Sequence, residues 1–136
     1  MLDVRLEYCI DGYNEKTEKV DSFESLIVRL NEIKNEAATD IKVIFSVDIV
    51  NDDMGRLSIG LNDKSIVTYT SADYEETLTS LGDELAEGKT TYYFGDHSLM
   101  SNKYIISYKD ALNVLETWIT TGTLSREIKW TNELFS

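Results

Sequence analysis

The sequence contains no proline, one cysteine (Cys9) and one histidine (His97). A single cysteine cannot form an internal disulfide, and so little cysteine is typical of a reducing compartment. With no proline and only seven glycines in 136 residues, we find no linker and expect one domain over residues 1–136. No apolar run is long enough to span a membrane, and residues 2–7 alternate apolar and charged side chains, unlike a signal peptide. These absences predict a cytoplasmic protein.

Basic residues are also scarce, because 13 lysines and arginines stand against 25 aspartates and glutamates, for a net charge of −12 at pH 7. The hydrophobic fraction of 42% and the charged fraction of 28% are ordinary for a folded domain. A surface this negative repels nucleic acid phosphates and anionic lipids, so we expect neither nucleic acid nor membrane binding. It favours association with a basic partner.

Two segments have apolar residues at helical spacing. The first extends to about Ala38 and begins at Asp21, with Glu24 three residues later completing a capping box. The second begins at Ser107 and buries a face that includes Trp118, and Gly122 stands at the position of a C-cap glycine. Both segments are therefore predicted to be helices.

The remaining apolar residues alternate with polar ones or are β-branched, which is typical of strands. Strands are expected at Leu2–Ile10, Ile41–Val50, Arg56–Leu61, Ser65–Thr70, Thr90–Phe94, Lys103–Ile106 and Arg126–Trp130. Residues 71–88 fit either exposed turns or a short helix, and residues 96–102 are predicted to be a loop. The sequence thus predicts an α+β fold, with a mostly antiparallel sheet of five to seven strands and two main helices packed on it.

Motifs for catalysis are missing from the sequence. It has no glycine-rich phosphate loop and no CxxC or HExxH pattern, so we expect no cofactor and no metal site. His97 lies between Asp96 and Ser98, but catalytic triads are assembled from separate segments rather than from one loop. We therefore expect a non-enzymatic protein, with a small acidic hydrolase using Asp96 and His97 as one alternative and a homo-oligomeric adaptor domain as another.

Two acidic clusters precede the aromatic strand that contains Tyr92 and Tyr93, and a loop with Asp96 and His97 follows it. Tyrosines can anchor a partner while carboxylates steer it, although strand alternation requires one tyrosine of the pair to face the core. One partner-binding surface is therefore predicted, formed by Asp73, Glu75, Glu76, Asp83, Glu84, Glu87, Tyr92, Asp96 and His97. The Asp52/Asp53 turn is the next candidate.

The C-terminal third of the sequence has a recognisable order of elements. Tyr93-Phe94-Gly95-Asp96 is followed by Ile106–Leu112, by a helix through Trp118 to Thr121-Gly122, and by Ile128-Lys129-Trp130. This pattern resembles immunity protein family 1 of bacterial polymorphic toxin systems. The resemblance implies a protein that neutralises one cognate toxin domain with a basic active-site groove, by analogy a nucleic-acid deaminase or a nuclease.

Overall fold

The structure is a computed structural model that describes residues 3–9, 15–37, 43–93 and 97–133. Within these ranges the helical elements are α1 (Phe23–Ala37), α2 (Tyr108–Thr121) and a 3₁₀ turn at Asn102–Tyr104. The strands are β1 (Val4–Tyr8), β2 (Lys16–Val20), β3 (Val43–Asn51), β4 (Gly55–Gly60), β5 (Lys64–Ser65), β6 (Val67–Thr70), β7 (Thr77–Leu81), β8 (Lys89–Tyr93), β9 (His97–Ser101), β10 (Ile106–Ser107) and β11 (Lys129–Thr131).

Nine of the described strands form one sheet in the order β11-β7-β6-β4-β3-β1-β2, with β8 and β9 attached beside the first part of β3. The described pairs are antiparallel except for β3 and β8, which run parallel. β5 and β10 pair separately. The nine-residue β3 lies inside the sheet, between β4 on one side and β1 and β8 on the other. The α+β class, the antiparallel sheet and both helices are therefore confirmed.

The sheet has more strands than the expected five to seven, because three segments gained partners that the sequence pattern did not reveal. Residues 97–101, predicted to be a loop, form β9 by pairing with β8, and part of the ambiguous segment 71–88 forms β7 between β6 and β11. β2 pairs with β1 as an edge strand. Lys103–Ile106 was predicted to be extended, but its first two residues, Lys103 and Tyr104, belong to the 3₁₀ turn.

Both helices pack on the same face of the sheet and form the main core with it. Trp118 of α2 is buried there, as predicted, and the partly buried Trp130 of β11 packs against the same core. Ser107 caps α2 by accepting the Asp110 N–H, and Gly122 ends it with φ = 73°, so both predicted caps are confirmed. At α1, however, it is Ser22 rather than Asp21 that accepts the Ser25 N–H, so the cap lies one residue later than predicted.

The opposite face of the sheet is divided into two halves. Paired residues on adjacent strands point to the same face, and the register pairs Ile44 with Tyr92 on the face away from the helices. There they form a second, smaller core with Ile66, between β5 and β6, and with Tyr104 of the 3₁₀ turn. The other half of this face carries charged side chains from β1, β3 and β4.

Candidate partner-binding surface

The two acidic clusters predicted to share one surface lie at opposite ends of β7. Asp73, Glu75 and Glu76 belong to the loop that precedes β7, and residues 82–88, with the other three carboxylates, follow it. A five-residue strand separates its two ends by about 13 Å, and the loops extend further still. The structure therefore does not bring the two clusters together, and each has to be considered separately.

The loop before β7 is held in shape by its own hydrogen bonds. Ser71 Oγ donates to Asp73 Oδ1 over 2.7 Å, and the Glu75 N–H donates to the same oxygen over 3.0 Å. These bonds, the serine first, lower the pKa of Asp73 below its ordinary value. They hold Tyr74 in a left-handed conformation with φ = 62° and a residue exposure of 76%. Asp73 thus shapes a loop that presents Tyr74, Glu75 and Glu76 to solvent.

The β3–β4 turn lies beside this loop. Asn51 Oδ1 accepts the N–H groups of Asp53 and Met54, which fixes a tight turn with Asp52 and Asp53 exposed. Gly55 has φ = 107°, and a Cβ there would lie only 2.3 Å from the Thr70 carbonyl oxygen, so glycine allows the two loops to touch. We call residues 51–55 together with residues 71–76 the hairpin end.

Lysines are concentrated away from the hairpin end. The strand register places some of them at the opposite end of the sheet, and so do two sets of contacts, those of Gly82 with Lys103 and those of Asp63 with Lys34 and Tyr108. The six lysines at this end are Lys34, Lys64, Lys89, Lys103, Lys109 and Lys129. Several neutralise carboxylates there, as in the 3.1 Å contact between Lys129 Nζ and Glu84 Oε2. The acidic loop after β7 is therefore surrounded by positive charge, and the hairpin end carries the more negative field.

Two arginines near the hairpin end are already bound by carboxylates. Arg56 contacts Asp48 at 2.7 Å and Glu7 at 3.1 Å. Arg5 contacts Glu7 and Asp52, each at 3.0 Å. These side chains form an ion-pair network on the sheet face opposite the helices. No ion pair is described for the carboxylates of Asp53, Glu75 and Glu76.

A cavity of about 390 Å³ opens beside the hairpin end, where the C-terminus of α2 meets the loop before β7. Tyr69, Glu76, Trp118 and Arg126 are among its lining residues. Burial raises the pKa of Tyr69, and the negative charges of Glu76 and Asp73 raise it further. Glu76 and Arg126 give the lining of this cavity one charge of each sign.

Tyr92 is a core residue and not part of a partner-binding surface. Its side chain is 0% exposed in the second core, and burial raises its pKa. The register explains why: Tyr92 lies opposite Ile44, so Tyr93 takes the other face, where its ring lies 5.5 Å from Phe45 and 4.9 Å from His97. His97 is exposed on β9. Asp96, the remaining predicted residue, lies outside the described residues.

The loop after β7 is also held by hydrogen bonds. Asp83 accepts the Leu85 N–H, and the Glu87 carbonyl oxygen accepts from Asn102 Nδ2 over 2.9 Å. Among the residues that the structure describes, no group of three or more histidine, cysteine, aspartate or glutamate side chains could hold a metal ion. Neither described helix is long and apolar enough to cross a membrane.

Comparison with protein families matches residues 12–132 to the model of immunity protein Imm1. The chain belongs to the Imm1 family of immunity proteins. The match includes every described element from β2 to β11, so the resemblance first seen in the C-terminal third is confirmed over most of the chain. A search of curated proteins found no significant match.

In an immunity protein, the surface of interest is the one that meets a toxin. Three residues of the hairpin end, Asp73, Glu75 and Glu76, belong to the surface predicted from the sequence, and the Asp52/Asp53 turn is the next candidate, whereas Tyr74 was not predicted. A signal for Tyr74 was present, since it is an aromatic residue inside an acidic Ser/Asp turn, where a side chain is exposed. The contact between the two loops could not be read from the sequence, because it depends on the order β3-β4-β6-β7 in the sheet.

Proposed function

We propose that this immunity protein binds one cognate toxin domain in the cytoplasm and blocks its active site with the hairpin end. The toxin is a nuclease or a nucleic-acid deaminase. The observation that carries this proposal is the separation of charge, with exposed carboxylates on the two adjoining loops and lysines concentrated at the opposite end.

The physical reason for a nucleic-acid enzyme is its substrate. Enzymes that act on DNA or RNA bind phosphates with lysine and arginine, so their active-site grooves are basic. Carboxylates of Asp53, Glu75 and Glu76 can take the place of those phosphates, and Tyr74 can insert as an aromatic anchor. A net charge of −12 also attracts such a groove at a distance and speeds association.

Blocking of this kind needs no chemistry from the inhibitor. The hydrolase alternative depends on His97 together with Asp96, and the described contact of the His97 ring is with Tyr93 at 4.9 Å. No observation on the described residues favours that alternative. We therefore propose stoichiometric inhibition.

The test is protection of a bacterial host. A candidate toxin, sought as the C-terminal domain of a secreted protein encoded beside this gene, is expressed with and without the immunity protein, and the purified domain is titrated with it. The proposal predicts restored growth and full inhibition at a fixed molar ratio. Growth arrest that this protein does not relieve, or inhibition that increases with incubation time at substoichiometric amounts, would contradict it.

A further inference from the structure

β2 forms an edge of the large sheet. Within the described ranges its five residues, Lys16–Val20, pair with β1 alone, so the backbone groups on its other side have no strand partner. Such an edge can accept an added strand from another protein chain.

A groove of about 850 Å³ runs along this edge, between β2 and α1. Its volume falls within the range of ligand-binding clefts, about 300–1,000 Å³. Val28 of α1 lines the groove and is 59% exposed, so it offers an apolar contact to an occupant. An edge strand, a facing helix and an exposed apolar residue between them form a seat for an extended segment with alternating side chains.

The charge of the groove determines what kind of segment fits. Seven charged residues line it, five acidic and two basic: Asp3, Glu18, Asp21, Glu24, Glu32, Lys19 and Arg29. Arg29 is already bound to Glu18, with 2.8 Å between Nε and Oε1. The excess of carboxylates favours a basic occupant and disfavours a second copy of this chain, which would bring the same negative lining.

The groove is continuous with the hairpin end. Asn51 Nδ2 donates to the carbonyl oxygen of Asp3 over 2.9 Å, and Asp3 lines the groove. Arg5, two residues further along β1, contacts Asp52 of the turn. A partner that covers the hairpin end therefore reaches the mouth of the groove without crossing another surface.

We propose that the groove between β2 and α1 binds an extended basic segment of the toxin, which pairs with the free edge of β2 and packs an apolar side chain against Val28. This rests on the proposed function, since the occupant is part of the toxin. It adds a second contact that holds the complex by backbone hydrogen bonds, beside the charged contact at the hairpin end.

The experiment uses the full chain and a catalytically inactive form of the toxin domain named above. Hydrogen exchange is measured with and without the toxin, and the proposal predicts slower exchange in peptides covering residues 15–28. Val28→Asn is expected to weaken binding at least tenfold, a change of about 1.4 kcal/mol, because it removes the apolar contact without adding a charge to the groove. The melting temperature should not change, since valine and asparagine have similar helix propensities. Leu85→Asn is the matched control, because Leu85 is 90% exposed in the loop after β7, and it should bind normally.

The possible results separate this inference from the proposed function. A complex that forms with unchanged exchange at residues 15–28 and unaltered affinity for Val28→Asn would overturn the groove proposal alone. Failure of the unmodified protein to bind the toxin would overturn both. A dimer of the immunity protein alone that Val28→Asn dissociates would show that a second copy occupies the groove.

Discussion

Replacement of Trp118 tests the packing of the main core. Its side chain is 1% exposed between α2 and the sheet, and its indole Nε1–H has no hydrogen-bond acceptor among the described residues. Trp118→Ala removes the ring and leaves a cavity, which lowers the free energy of unfolding by about 3–5 kcal/mol. That is a large part of the roughly 5–15 kcal/mol that stabilises an ordinary domain.

Trp118→Phe separates packing from hydrogen bonding. Phenylalanine keeps one aromatic ring in place and removes a buried N–H that costs about 1–3 kcal/mol when it is unpaired. We therefore expect most of the stability lost in the alanine variant to be retained. Trp130→Phe is the comparison, because the Trp130 Nε1–H donates to the Ser125 carbonyl oxygen over 2.9 Å, and its loss should cost about 1 kcal/mol.

Urea unfolding, followed by circular dichroism, measures all three variants. With a dependence of about 2 kcal/mol per molar urea, Trp118→Ala should lower the midpoint by about 2 M. A midpoint that barely moves would mean that Trp118 is not in the core, and a phenylalanine variant as unstable as the alanine variant would mean that the indole N–H has a partner.

Three further outcomes follow from the structure. Gly82→Ala should destabilise the fold more than Gly122→Ala, because a Cβ at position 82 would lie 1.9 Å from the Ile105 carbonyl oxygen. A Cβ at position 122 meets no other atom, so the substitution costs only about 1–2 kcal/mol for an alanine at φ = 73°. Thermal unfolding compares the two variants, and equal losses of stability would contradict the packing at Gly82. The hydrogen bond from Arg29 lowers the pKa of Glu18, so the ionised carboxylate stabilises the fold above its ordinary pKa of about 4.3, and this stabilisation is lost as the pH falls. Between pH 6 and pH 3, the free energy of unfolding should therefore fall less for Glu18→Gln than for the unmodified protein. Parallel curves of stability against pH would refute this. His97→Ala should still protect cells from the toxin, and a variant that binds the toxin but fails to protect would show that inhibition needs chemistry.

The sequence predicted the elements that depend on local patterns. Helix periodicity, the Ser107 and Gly122 caps and the alternation in β3 and β4 are all local properties, and the structure has them. The Ser22 cap was missed because Asp21 and Ser22 are both good capping residues, and local chemistry does not choose between them.

The candidate site depended on pairing, which local patterns do not determine. β7 has the sequence Thr-Leu-Thr-Ser-Leu between two acidic loops, and only its pairing with β6 and β11 makes it a strand and moves the loops to opposite ends. Which of Tyr92 and Tyr93 is buried in the second core likewise depends on the register with β3. A one-residue shift in that register would exchange their faces.

The most direct test of toxin capture by the hairpin end is the rate of association with the toxin domain, measured by stopped flow at several salt concentrations. The double variant Glu75→Gln/Glu76→Gln is compared with Asp83→Asn/Glu87→Gln, which also removes two negative charges, but from the loop after β7. For the unmodified protein we predict an association rate above the roughly 10⁵–10⁶ M⁻¹s⁻¹ of unsteered proteins. This rate should fall as the Debye length shrinks from about 10 Å at 0.1 M salt to 3 Å at 1 M. At low salt, only the first variant should associate more slowly than the unmodified protein. Equal slowing by both variants, or a rate that responds to neither salt nor Glu75 and Glu76, would contradict capture by the hairpin end.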